Sequence, residues 1–191
     1  QTCGLTREFS SNSLSLEEYL SKWDEIDERL SINMTSHVSN RASCIQGSGV
    51  LRAYTETFPE ISQTTKAMKR RVLQAAANGE ESRGHAATCF GAVCGLLNVD
   101  SYQASSMFLY TVVRDMINAA VRMNAVGPLE GGRLINQLCQ KLEENLHHWV
   151  VEAESTTDKV EENMFLPYQV APLVEVIANV PDRLYTRLFN S

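Results

Sequence analysis

Arg114, Asn118 and Arg122 recur four residues apart within a largely apolar run in the second half of the chain, MFLYTVVRDMINAAVRMNAV. At about 100° per helical residue, steps of four drift by only about 40°, so the three share one stripe. A guanidinium offers a planar fork of donors that suits carboxylates and phosphates at interfaces. The stripe therefore faces a partner, or it pairs internally with Asp115 or another helix, and the residues alone leave both open. Gly127-Pro128-Leu129-Glu130-Gly131-Gly132 follows and is expected to end the helix as a turn.

Other chemistry is thinner. His85 and Cys89 stand four apart and would share a helix face, a weak metal signal. The run around them, GHAATCFGAVCGLL, reads instead as a buried helix of small, soft side chains. Cys94 lies five residues further on and points away. His147 and His148 are adjacent, so they face different directions and cannot chelate as a pair. No G-x-S-x-G, P-loop or G-x-G-x-x-G is present, and Gln46-Gly47-Ser48-Gly49 lacks the lysine and strand of a phosphate loop. Glu143-Glu144 and Glu161-Glu162 read as solvated charge. Nothing nominates a catalytic group, and the expectation is a protein that is not an enzyme, with no firmly bound cofactor or metal.

The elements that must position these residues are helical. The chain has 191 residues, 43% hydrophobic and 21% charged, with a formal charge of −6. That is enough for one core, and the wrong sign for a nucleic-acid binder. The one basic cluster, Lys66, Lys69, Arg70 and Arg71, reads as a solvated helix face. Five cysteines, an odd number with no C-x-x-C, suit a reduced cytosolic or nuclear chain, and a cytoplasmic location is expected. No apolar run is long enough to span a bilayer.

Ser13 or Ser15 is expected to cap a first helix to about Leu30. A second runs from about Ser31 to Phe58, where Gly47 and Gly49 mark close backbone approach and Pro59 breaks it. Residues 60–78 and 84–97 form two more. In the latter, Ala87, Gly91 and Gly95 allow tight contact. Asp100 or Ser101 caps the long helix, 101 to about 125, roughly 36 Å long. Being apolar on more than one face, it is expected to be buried centrally. Gly131–Val151 is the next helix, 152–166 an acidic loop or linker, and about Pro167–Val180 a short last helix. The tail 182–191 carries Leu184, Tyr185, Arg187, Leu188, Phe189 and Ser191, residue types that anchor interfaces. The expectation is an all-α single domain over 1–191, a bundle of about six to eight helices with a long central helix.

Four segments, in order, resemble the urease accessory protein UreF family in its plant-like form. They are Lys22-Trp23-Asp24-Glu25-Ile26-Asp27 with Ser39-Asn40-Arg41-Ala42-Ser43-Cys44-Ile45-Gln46-Gly47-Ser48; His85-Ala86 through Phe90-Gly91 to Leu96-Leu97; Arg114-Asp115 through Arg122 to Gly127-Pro128; and Leu184 to Ser191. The resemblance implies an all-α chaperone of urease maturation. It would join a UreD/UreH-type accessory protein and a UreG-type GTPase, modulate that GTPase, often dimerise, and help deliver nickel to the urease apoprotein. By the same resemblance Leu184–Ser191 would dock on the UreD-type partner, and Arg114, Asn118, Arg122, Gly127 and Pro128 would lie near the assembly's centre. The family's N-terminal proline-glycine segment is not matched, so an N-terminally truncated form is expected. Bacterial members carry glutamines where this chain has Pro128 and Gly132. The alternatives are a direct nickel carrier using His85 and Cys89, or an unrelated helical interaction module.

Overall fold

In a computed structural model of the chain, the described residues are 2, 5, 6, 9, 14–79, 83–155, 172–178 and 180. The architecture is all-α, and no strand occurs among these residues. Helix α1 is Leu16–Asn33, α2 His37–Thr57, α3 Ser62–Ala77 after a 3-10 turn at Pro59–Ile61, α4 Ala86–Leu96, α5 Ser101–Arg122, α6 Pro128–Ser155 and α7 Pro172–Ala178.

The local code explains most of the boundaries. Ser15 opens α1 with a reciprocal capping box: the Glu18 N–H donates to Ser15 Oγ at 3.3 Å, and the Ser15 N–H donates to Glu18 Oε2 at 2.8 Å. The Ser15 N–H bond, with the Ser15 hydroxyl donating to the same oxygen at 2.7 Å, favours the charged form and lowers the Glu18 pKa. Asp100 caps α5 by accepting from the Gln103 N–H at 3.0 Å. Asn98 and Asn124 take left-handed φ values of 59° and 57° just past α4 and α5, a conformation asparagine tolerates.

Three boundaries differ from the sequence expectation. The second helix starts later than the expected Ser31, because α1 continues to Asn33 and Ser36 caps a start at His37. The expected Gly127–Gly132 turn is shorter, since α6 begins at Pro128. Proline at the first helical position loses no hydrogen bond, so it starts this helix rather than preventing it. Residues 152–155, expected in a loop, continue α6; the remainder of 152–166 lies outside the described residues. Of the expected last helix, about Pro167–Val180, the described residues hold the helical stretch Pro172–Ala178, and residues 167–171 lie outside them.

The main core joins α1, α2, α3 and α4. Tyr19, Leu20 and Trp23 of α1 meet Leu51, Ile61, Met68, Cys89, Ala92 and Val93. Gly47 explains how closely α2 approaches α4: a Cβ there would stand 2.1 Å from the Gly84 carbonyl oxygen. Gly95 likewise accepts Thr6, whose Cβ would lie 2.5 Å from an added methyl. The α5–α6 hairpin packs chiefly on itself, and α5 also meets α4, through a small cluster of Cys94 and Ala104 flanked by Phe90 and Val99. Gly131 sets the hairpin's closeness, because a Cβ there would meet Val121 Cγ2 at 2.8 Å.

The expectation that α5 is buried on most sides is not met: its only buried residues are Ala104 and Val113. Met116 is 67% exposed and Tyr110 50%. Apolar periodicity reports surface that wants covering; it does not say whether the cover comes from the same chain.

Candidate partner interface

Two places in the fold concentrate functional residue types. The first is a buried polar knot at the start of α4. Asp27, fully buried on α1, accepts from the Gly84 N–H at 2.6 Å and the His85 N–H at 2.9 Å, and from the Thr88 hydroxyl. It thus caps α4 from another helix, with its negative charge at the positive end of the helix dipole. Ser43 on α2 accepts from the next amide, Ala86 N–H, at 3.2 Å. The Trp23 indole N–H reaches the Thr88 carbonyl at 3.4 Å. Gly84 holds the entry turn at φ +80°. Outside the knot, Arg71 bridges Asp24 at 3.0 Å and Glu17 at 2.6 Å, while Arg83 donates to the Asp24 carbonyl at 3.1 Å. Arg71 was expected on a solvated face; the structure ties it to α1 instead.

His85 is not on the helix with Cys89. It precedes α4 with extended backbone, and its Nδ1 lies 3.5 Å from Cys44 Sγ. Burial lowers the His85 pKa, against the pull of Asp27. Burial also pushes the Cys89 thiol far up. A buried neutral thiol is neither nucleophile nor ready metal ligand, so the chemistry does not favour His85 and Cys89 as a metal pair. Among the described residues no group of three or more His, Cys, Asp or Glu is placed to hold a metal ion. The knot is a structural clasp.

The second place is the α5–α6 hairpin. Arg114 donates through Nε and Nη2 to Asp115 Oδ1, at 2.9 and 2.8 Å, which is the internal pairing left open by the sequence. Its side chain remains 43% exposed, so the pair sits at the surface. Asn118, Arg122, Gly127 and Pro128 are exposed. Around them lie exposed apolar side chains: Met116, Met123 and Leu129, the last 93% exposed.

Two adjoining depressions run between α5 and α6. One, of about 280 Å³, is lined by Met107, Tyr110, Cys139 and Leu142 among others. Its neighbour, of about 410 Å³, shares Leu142 and adds Val113, Met116 and Leu138. Both are walled mainly by apolar side chains, and methionine-rich surfaces adapt to a partner's shape. The sequence reading singled out the arginine stripe but not this apolar trough beside it. The signal was present in the excess of apolar residues on α5. The tail residues Leu184, Tyr185, Arg187, Leu188, Phe189 and Ser191 lie outside the described residues.

No described helix is long and apolar enough to cross a membrane. Comparison with known proteins connects these features to a family. The chain is 28% identical over 169 residues to urease accessory protein F of Arabidopsis thaliana, covering 88% of this chain and 64% of that protein. It is 30% identical over 167 residues to urease accessory protein F of Oryza sativa subsp. japonica, covering 87% and 58%. It is 24% identical over 213 residues to urease accessory protein 6 of Cryptococcus neoformans var. grubii, covering 92% and 65%. The chain thus spans less than two thirds of the length of each of these relatives. No solved structure matches it significantly. The UreF family model matches residues 12–139, a span that holds the Asp27 knot, all of α5 and the opening of α6; the chain belongs to the UreF family.

Proposed function

We propose that this protein is a non-enzymatic accessory factor in urease maturation, acting in the cytoplasm by bringing a UreD/UreH-type protein and a UreG-type GTPase together on the urease apoprotein. Family membership supports the pathway. The observation that carries the mode of action is the uncovered α5–α6 face, where Tyr110, Met116, Met123 and Leu129 stay exposed beside Arg114 and Arg122. Large exposed apolar residues with arginines at their margin are the composition of a docking patch. In this reading the face seats a second copy of the chain or one of the two partners, and binding modulates the GTPase cycle. The segment Leu184–Ser191 docks on the UreD/UreH-type protein. Nickel is the cargo destined for urease and is not a resident cofactor of this chain.

Co-purification tests the reading. The purified chain should retain tagged UreD/UreH-type and UreG-type proteins, and removal of residues 184–191 should release the UreD/UreH-type partner. A tail deletion that leaves both capture and urease activation intact contradicts the tail assignment. Met116→Glu with unchanged capture of every partner and unchanged self-association contradicts the face.

A further inference from the structure

A second concave surface, remote from the α5–α6 trough in sequence, lies between α2 and α3. It encloses about 710 Å³ and is lined by four cations, Arg41 and Arg52 of α2, Lys69 of α3, and Arg83 before α4. Among the described residues no carboxylate lines it, in a chain whose formal charge is −6. Arg83 is held in place by the Asp24 carbonyl at 3.1 Å and Glu28 at 3.4 Å.

Gly49 supplies an independent observation. Glycine inside a helix costs about 1 kcal/mol relative to alanine. At Gly47 the cost is explained by the Gly84 backbone, but a Cβ at Gly49 would meet no described atom within 4 Å. Gly49 instead lines the cleft, which is where a glycine lets a ligand approach the backbone.

The shape of the lining selects the ligand. On α2 the cleft residues recur from Arg41 through Ile45 and Ser48 to Arg52, one helical stripe about 16 Å long. The cations therefore lie along a trough and do not all converge on one point. Ile45, 59% exposed, and Val72 stand between them. A single phosphate would use one end of such a trough, and among the described residues no aromatic side chain lines it for a base to stack on. We propose that the α2–α3 trough binds an acidic amphipathic peptide segment of a partner protein, its carboxylates on Arg52 and Lys69 and its apolar side chains on Ile45 and Val72. The proposal stands apart from the urease reading and can fail without it.

The test uses the full chain and a fluorescein-labelled helical peptide of Glu and Leu, beside its Gln-for-Glu counterpart, with binding followed by anisotropy. The acidic peptide should bind and weaken as ionic strength rises, while the Gln peptide should not bind. Arg52→Glu and Lys69→Glu should each weaken binding by about tenfold or more. Gly49→Leu, which fills the trough from an open position, should do the same without lowering the melting temperature. If either charge reversal fails to fold, Arg52→Gln and Lys69→Gln with wild-type melting carry the same comparison. Equal binding of the two peptides overturns the proposal, as does wild-type affinity in the folded variants. Displacement by inorganic phosphate at matched ionic strength overturns it in favour of a small-anion site. Tighter binding of a single-stranded oligonucleotide, lost in the same variants, overturns it in favour of nucleic acid.

Discussion

Replacing Asp27 with asparagine keeps the shape of the buried knot and removes its charge. The carboxylate accepts from two amides, Gly84 N–H at 2.6 Å and His85 N–H at 2.9 Å, and from the Thr88 hydroxyl. An amide has one acceptor oxygen, and its NH₂ would be turned toward groups that are themselves donors. At least one buried donor is then unsatisfied, at about 1–3 kcal/mol. Loss of the anion from the α4 N-terminus adds about 0.5–2 kcal/mol. The expected destabilisation is about 2–4 kcal/mol for Asp27→Asn, and about 3–5 kcal/mol for Asp27→Ala, which strands all three donors. Against a typical total of about 5–15 kcal/mol this is a large fraction. Urea unfolding followed by tryptophan fluorescence reads it directly, because Trp23 is fully buried and bonded to Thr88 of the same knot. The midpoint should fall with the slope unchanged. An Asp27→Asn protein within about 0.5 kcal/mol of the wild type would refute the idea that this carboxylate clamps α1 to α4.

Further expectations follow from the same geometry. Gly47→Ala should destabilise by about 2–3 kcal/mol or prevent folding, since the new methyl meets backbone at 2.1 Å; Gly49→Ala, facing open space, should stabilise by about 0.5–1 kcal/mol, and denaturant midpoints of the pair decide both. The His85 pKa is lowered in the folded state by burial, so the unfolded chain binds the extra proton: stability from this group is present above its ordinary value of 6.5 and is lost as pH falls below it. Unfolding midpoints at pH 7.5 and 5.5 should show that loss in the wild type and a smaller one in His85→Gln; identical profiles would contradict the assignment. Met116→Glu, at a site 67% exposed, should leave the melting temperature within about a degree or two while reducing partner capture.

How much was legible in the sequence depended on range. Ser15 with Glu18 and Asp100 with its helix were readable because a cap and its recipient lie within one turn. Gly47 was readable as a close approach, but its neighbour Gly49 looked the same in sequence and has no packing neighbour. The junction of the first two helices was placed at Leu30–Ser31, early by a few residues, because α1 continues to Asn33 and only the Ser36 cap marks the restart. Asp27 was quoted within a resemblance, yet its role depends on amides more than fifty residues away, which no local pattern encodes. Cys44 beside His85 was hidden for the same reason. The exposure of α5 was misread for a different reason, because helical periodicity records apolar faces without saying which chain covers them.

The central claim is that this chain works as an assembly factor for urease. The most direct measurement is reconstituted activation: urease apoprotein, nickel, GTP and the UreD/UreH-type and UreG-type proteins, with and without this chain, read as ammonia release. The account predicts that adding the chain raises activation and that Met116→Glu lowers the gain at equal folded concentration. Activation that is the same with and without the folded chain, together with no capture of either partner, would contradict it.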